Sequence, residues 1–518
     1  MTIERLKSTL PHLVLAALAL VPSVARAGDW HIIPRFQVEE TYTDNVLLHK
    51  SGEEGDLITT VTPGFSLRGE SGRVKSNIDY NRQERFFADK SEFDGGNNQL
   101  QADMASTLVK NWLFFDTASR MSQQNIDDRR NFSRINRGNN ANLVDVTSYE
   151  VAPRIEHTFG SVANMNLRYS HQTVTRNDAL SRSNNALDVA AGDNDALSRS
   201  KKRPDVAAGD SDEDSFQLDV RSGPRAGRFP VGFSAQSRKV EYTNGRINKF
   251  KSVSTDVSYV FSRAFRLTSR AGYEDNSFGL HRGATNGATW GVGGTWTPSD
   301  RTELKADWGD QFFGKSLNLT ATHRFRRLHF DFSYNTGART ANEFERGLLL
   351  VPLFDASGAP VFDPVTSGQI LVPSTSPGVL DDVFIERRIS SQVVYAMRRT
   401  DLSASYFQTA REFQSDGRNE LTRGIAFNVN HRIRPRLRAN FGAEWRQNRE
   451  SKVVDSASSG TYYSIFPSLS YDLGPHTTAA LRYNYVVNNH GDGFGTLLDP
   501  TQSAYTENAI TASLILHL

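Results

Sequence analysis

The sequence predicts an all-β fold, a transmembrane antiparallel outer-membrane β-barrel of about 22 strands, with 18 to 24 as the range. Three observations carry it. Apolar and polar residues alternate with period two along much of the chain, short turns and long loops take turns between the alternating segments, and the chain opens with a secretory signal.

The signal comes first. Arg5 and Lys7 make a basic start, Leu13 to Val21 an apolar core, and Ala25-Arg26-Ala27 places small residues at both cleavage-determining positions. Residues 1–27 are therefore expected to be a cleaved signal peptide and 28–518 a single barrel without a plug domain, since strand patterning begins at about Trp30. The apolar core is shorter than the roughly 20 residues that span a bilayer. Taking Arg5, Lys7 and Arg26 against Glu4 removes +2 from a whole-chain charge of +2, which leaves a neutral mature chain. That balance lacks the basic excess a nucleic-acid partner requires. Cysteine is absent, so disulfides, thiolate metal sites, thiol catalysis and lipoprotein acylation are excluded. A mean hydropathy of -0.50 suits a barrel whose lipid-facing and lumen-facing residues average out.

Alternation is clearest in four segments. Leu328, Phe330, Phe332 and Tyr334 alternate with His329, Asp331, Ser333 and Asn335; Ala479, Leu481, Tyr483 and Tyr485 alternate with Ala480, Arg482 and Asn484. Ile425, Phe427 and Val429 oppose Asn428, Asn430 and Arg432, and Leu304, Ala306 and Trp308 oppose Glu303, Lys305 and Asp307. Short turns are expected near Glu70-Gly72, Val109-Asn111, Phe159-Ser161, Gly223-Gly227, Phe261-Ala264, Pro298-Arg301, Phe325-Arg327, Met397-Thr400, Ile433-Arg436 and Leu473-His476. Ten such turns, with both termini on the periplasmic side, give twenty-two strands.

Between them lie longer outer loops, notably 177–214 and 339–381, with one tight outer turn at Phe313-Gly314-Lys315. The first holds a direct duplication: Asp178 to Ser183 and Asp188 to Asp193 reappear as Asp195 to Ser200 and Asp205 to Asp210. The second contains Leu348-Leu349-Leu350-Val351-Pro352 and Ile370-Leu371-Val372-Pro373, apolar runs that pack inward or form a small hairpin. Trp290 and Trp296, on one face near opposite ends of a strand, fit the aromatic girdles of the two membrane interfaces.

The chain ends with Ile510, Ala512, Leu514, Leu516 and Leu518 alternating against Thr511, Ser513, Ile515 and His517. This resembles the C-terminal β-signal read by the barrel-assembly machinery, although most such signals end in an aromatic residue and this one ends in Leu518. Gly28-Asp29-Trp30-His31-Ile32-Ile33-Pro34, Glu40-Thr41-Tyr42-Thr43-Asp44-Asn45-Val46, Thr289 to Thr302, Phe312-Phe313-Gly314 and Arg398-Arg399-Thr400 resemble the outer-membrane proteins associated with PEP-CTERM/exosortase systems. The resemblance runs over nearly the whole mature chain. It implies a barrel encoded near exopolysaccharide and exosortase genes in Gram-negative bacteria, with no established substrate and no catalytic residues.

No constellation points to catalysis, a cofactor or a metal, and the expectation is that the protein is not an enzyme. Its twelve histidines are scattered; His323 and His431 read as polar side chains near strand ends. Asp210, Asp212, Glu213 and Asp214 read as a solvated loop, lacking the spacing of a calcium loop, and Asp44 and Asn45 as an Asx turn. The site-level signal is basic: Arg324, Arg326, Arg327, Arg398, Arg399, Arg432, Arg434, Arg436 and Arg438 crowd the short turns and would form a rim at the periplasmic mouth. Phospholipid headgroups explain such a rim, and so does electrostatic gathering of an acidic exopolysaccharide or a periplasmic export partner. Outer-membrane lipid, lipopolysaccharide and the barrel-assembly machinery complete the expected partners. The functional readings are a porin-like pore or conduit and a non-conducting structural or adhesive barrel that displays its loops.

Overall fold

The alternation in the sequence becomes two faces of one sheet. The computed structural model describes residues 28–125, 143–178, 210–278, 285–340, 350–352, 371–373, 382–415, 417–451, 457–490 and 504–517. The strands are β1 (Gly28–Thr43), β2 (Asp56–Ser71), β3 (Val74–Phe87), β4 (Gly95–Val109), β5 (Leu113–Asn125), β6 (Leu143–Phe159), β7 (Ala163–Asp178), β8 (Ser211–Ser222), β9 (Val231–Tyr242), β10 (Ile247–Val260) and β11 (Phe265–Ser277). They continue as β12 (Asn286–Ser299), β13 (Thr302–Gln311), β14 (Gly314–Arg324), β15 (Leu328–Thr340), β16 (Val383–Ala396), β17 (Thr400–Phe413), β18 (Asn419–Arg434), β19 (Leu437–Ser451), β20 (Ala457–Asp472), β21 (Thr477–His490) and β22 (Ala504–His517). Each pairs antiparallel with its sequence neighbours, and β1 pairs with β22 from Arg35↔His517 to Thr43↔Ala509. Closure pairs the first strand with the last, and among the described residues the sheet parts at the long-loop ends of β14 and β15.

All ten expected turns join consecutive strands at one end of this 22-stranded barrel. At the other end, among the connections with described residues, three are tight rather than one: besides Phe312-Phe313, they are Thr243 to Arg246 and the link from Phe413 to Asn419. The first of the additional two is an Asn-Gly turn, with Gly245 at φ +86 and the Arg246 N–H donating to Asn244 Oδ1. The acidic stretch is also corrected. Strand β8 starts at Ser211, so Asp212 and Asp214 lie on its outer face, where they accept hydrogen bonds from Thr173 and from Tyr169, while Glu213 is buried on the inner face. Strand β15 runs two residues into the expected loop, to Thr340, and the apolar runs of the loop pair as a short hairpin, Leu350–Pro352 against Leu371–Pro373.

Outward residues are apolar over a band. From β10 into the turn beyond it they run Val253, Thr255, Val257, Tyr259 and Phe261, apolar but for one threonine over roughly 26 Å at 3.3 Å per residue, with Lys249 and Lys251 above. Trp290 and Trp296 both point out, 45% and 49% exposed, and Trp308 stacks edge-on to Trp290 at 5.0 Å between ring centroids.

The seam between β1 and β22 carries its own clasp. Asp44, just past β1, accepts from the Asn508 N–H and from Asn508 Nδ2, both at 2.7 Å. Thr43 Oγ1 donates to Glu507 Oε1 at 3.1 Å, and Thr41 and Thr511 share a hydroxyl bond at 2.9 Å. Asn45 is fully buried; its Nδ2 donates to the Thr506 carbonyl at 2.9 Å and the His49 carbonyl at 2.7 Å, and its Oδ1 accepts from the His49 N–H. Asp44 and Asn45 thus do more than shape a turn. The loop they start bends inward, seating Val46 on Ile58 and Phe87 to one side of the seam and Leu48 on Tyr462, Val486 and Tyr505 to the other.

Candidate functional site

Two features of the interior bear on function: its graded cover and a side-chain-poor sector. Inward residues of β1 pass from exposed Asp29 and His31 at the short-turn end to buried Thr41 and Thr43. Strands β7, β8, β19 and β22 show the same gradient or are covered throughout their described inner faces. From β1 to β7 the inner wall is a lattice of ion pairs: Arg35 and Arg68 meet Asp79, Arg120 meets Asp103, and Arg154 and Arg168 share Asp116. Half-exposed pairs of this kind add little stability each, but they cancel the wall's charge.

The sector from β9 to β15 differs. Its lining is half-exposed over much of its height, and glycines supply part of it: Gly232 on β9, Gly272 on β11, Gly287, Gly291 and Gly293 on β12, and Gly309 on β13, of which Gly232, Gly291, Gly293 and Gly309 are themselves buried under neighbouring groups. On β12 the period-two pattern puts Trp290, Val292 and Trp296 outward and these glycines inward. Two carboxylates lie in the space a side chain would take: Asp256 covers Gly232 and Asp307 covers Gly293, each pair directly opposite across its ladder.

Two cavities follow this wall, of about 280 and 420 Å³, sharing Ser252, Glu274 and Gln311. Their inward acidic residues are Asp219, Asp256, Glu274 and Asp307. The inward basic ones are Arg221, Arg238, Arg270 and Arg339, so the two signs balance four to four, while Asp310 and Lys251 border the cavities from outward-facing positions. The upper cavity adds the rings of Phe250 and Phe312 beside the amides of Gln236, Asn276 and Gln311. Phe278 bridges the two rings, with centroids at 5.4 Å from Phe250 and 5.8 Å from Phe312, and Arg238 stacks on Phe250 at 4.3 Å.

The wall also parts here. The β14–β15 ladder stops at Leu319↔Tyr334 while β15 continues to Thr340, so Gly314–Asn318 and Asn335–Thr340 face each other without ladder pairs. Asn318 Oδ1 accepts the Thr336 N–H at 3.1 Å, a side chain standing in for the missing backbone partner.

The arginines expected at the mouth lie at the short-turn end, on the connections β14–β15, β16–β17 and β18–β19 or at the strand ends beside them. All nine are exposed. Among the described residues only Arg438 has an acidic partner, Asp472, which accepts from its Nη2 through both oxygens. Arg432 is directly opposite Arg438 on the inner face. At the other terminus Ile510, Ala512 and Leu514 point outward and are exposed, and Leu516 is half-buried; Leu518, like the signal segment 1–27 and the duplicated loop, lies outside the described residues. His323 and His431 each share a hydrogen bond with a strand-end threonine, Thr302 and Thr400. The sequence reading missed the glycine sector, although alternate glycines opposite tryptophans on one strand would have signalled it.

A closed 22-stranded sheet with an apolar outer band decides the class. This chain is an outer-membrane β-barrel. Residues 381–516 match a family model described as surface lipoprotein assembly modifier, about a quarter of the chain. Among solved structures, the FrpB iron transporter from Neisseria meningitidis aligns with a TM-score of 0.51 at 10% identity, over 94% of this chain and 83% of that one. The ferric enterobactin receptor PfeA from Pseudomonas aeruginosa, a mutant in complex with enterobactin, aligns at 0.50 and 10% identity, over 94% and 81%. At this identity the likeness is one of fold. No match is found among curated proteins.

Proposed function

We propose that the barrel is a pore or conduit for an exopolysaccharide in an exosortase-type (PEP-CTERM) system, and not an enzyme. The observation that carries the reading is the pair of adjoining cavities along the glycine-rich wall from β9 to β15, in an interior that is otherwise lined by paired charges or covered. The basic rim would then serve a second purpose. A polyanion gains nothing from a groove whose charges balance, so the unpaired arginines suit an acidic periplasmic export partner better than an acidic chain in transit.

Planar-bilayer recording tests the reading. Measurable conductance is expected, with a preference for anions at low salt set by the rim. Replacing Arg432, Arg434 and Arg436 by Gln should reduce that preference, whereas removing the Arg438–Asp472 pair together, by Arg438→Gln with Asp472→Asn, leaves the net charge unchanged and should alter it little. Near 1 M salt, where the Debye length is about 3 Å, the preference should fade. A barrel silent both intact and after removal of residues 343–377 would instead be a display platform, a reading favoured by the covered inner faces of β1, β8 and β22 towards the outer end.

A further inference from the structure

We infer that the groove along β9 to β15 binds an uncharged hexose chain, with the upper cavity as its first subsite. The inference rests on the conduit reading and names the substrate class. Three properties of the lining converge on it.

The first is the rings. An inner wall facing water is normally polar, yet the half-buried rings of Phe250 and Phe312 border a cavity of about 420 Å³, packed with Phe278 and Arg238 into one cluster. That volume lies within the roughly 300–1,000 Å³ of small-ligand sites. The flat apolar face of a pyranose ring matches such a ring face.

The second is the polar rim of the cavity. Gln236 and Gln311 offer paired donors and acceptors, while Asn276, whose Nδ2 donates to the Thr285 carbonyl, and Glu274, which accepts from the Phe312 N–H, add acceptor oxygens. Vicinal hydroxyls, each donor and acceptor, satisfy both kinds at once. The strands themselves add donors and acceptors where the β14–β15 ladder stops beside the cavity.

The third is charge. Four inward carboxylates against four inward cations give a charged ligand no net attraction, and desolvating its charge carries a cost. Below the rings, the glycines of β12 leave room for a chain to lie along the wall. Asp256 and Asp307, folded over Gly232 and Gly293, keep that wall level while presenting acceptor oxygens to it. A neutral sugar chain meets all three conditions, whereas an extended peptide would be drawn to the open strand edges and an acidic glycan would meet the carboxylates.

Titration calorimetry on the detergent-solubilised barrel, with maltohexaose and a hexameric polyuronate as probes, tests this without requiring conduction. Saturable binding of the neutral hexamer at millimolar or tighter concentration is expected, at least tenfold stronger than the polyuronate. Phe312→Ala and Phe250→Ala should each weaken it at least tenfold, while Phe312→Tyr, which keeps the ring, should not. The Tyr variant also separates loss of the ring from loss of the fold. No binding of the neutral hexamer, or equal or better binding of the polyuronate, overturns the inference. Binding by a barrel that never conducts leaves the glycan site standing and removes the conduit.

Discussion

Removing Asn45 should loosen the closing seam before anything else. Its side chain makes three hydrogen bonds in full burial, two to carbonyls and one from the His49 N–H. A buried hydrogen bond contributes about 1 kcal/mol net, and an orphaned partner costs up to about 3 kcal/mol. Asn45→Ala therefore lowers the opening free energy of the seam by about 3 kcal/mol, which is roughly a hundredfold in an opening equilibrium. Hydrogen exchange of the barrel in detergent reads this directly, because β1 and β22 can open without the rest. Amides of Glu39 to Thr43 and of Thr506 to Thr511 should exchange about a hundredfold faster, while those of β10 and β11 stay as they were. Asp44→Ala should act on the same amides but more weakly, since Asp44 is only half-buried, and the two substitutions should not add, sharing one cluster. Unchanged protection at the seam in Asn45→Ala, or equal loosening of β10 and β11, would refute the clasp.

Three further outcomes follow from other parts of the molecule. Burial holds the Asp382 carboxyl above its usual range, beyond what its Ser415 and Val383 hydrogen bonds and the more distant Arg246 offset. Its stabilising contribution is then whole below its unfolded value near pH 4 and is lost as pH rises through the raised folded value, so Asp382→Asn should flatten the urea midpoint between pH 4 and pH 8; parallel curves for variant and parent would contradict this. Deleting residues 179–195 removes one copy of the duplicated segment while keeping Asp178 and Ser211, and the heat-modifiable gel band of the folded barrel should persist. Gly293→Val puts a side chain where Asp307 rests, so it should displace that carboxylate from Arg270 and reduce conductance without preventing assembly, and an unaltered current would show that β12 is not part of the path.

The fold was legible because a lipid-spanning sheet has to obey local rules. Leu328, Phe330, Phe332 and Tyr334 read as one face because the side-chain period of a strand is two, and the turn at Pro298-Arg301 read as a turn because it interrupts that period. What stayed hidden depends on partners far along the chain. Asp44 and Asn45 read as a local turn, yet they bond to Asn508 and Thr506, more than 460 residues away. Asp212 and Asp214 looked like a loop because charge suggests solvent, but an outer-face position opposite Thr173, Tyr169 and His171 holds them in a strand. Of the nine arginines, proximity to a turn could be read but not neutralisation, so only the structure sets Arg438 apart.

The graded cover of the interior gives the barrel a direction. Its lining is accessible at the end that carries the unpaired guanidinium groups and covered towards the other over β1, β7, β8 and β19. If the barrel conducts as proposed, ions entering at the charged end are concentrated there and ions entering from the covered end are not. Reversing the voltage should then change how many carriers wait at the mouth, and the current–voltage curve should bend. Such rectification would reveal which way each molecule sits in a planar bilayer, and would make the barrel's own asymmetry, rather than any moving part, the reason that flow in one direction exceeds flow in the other.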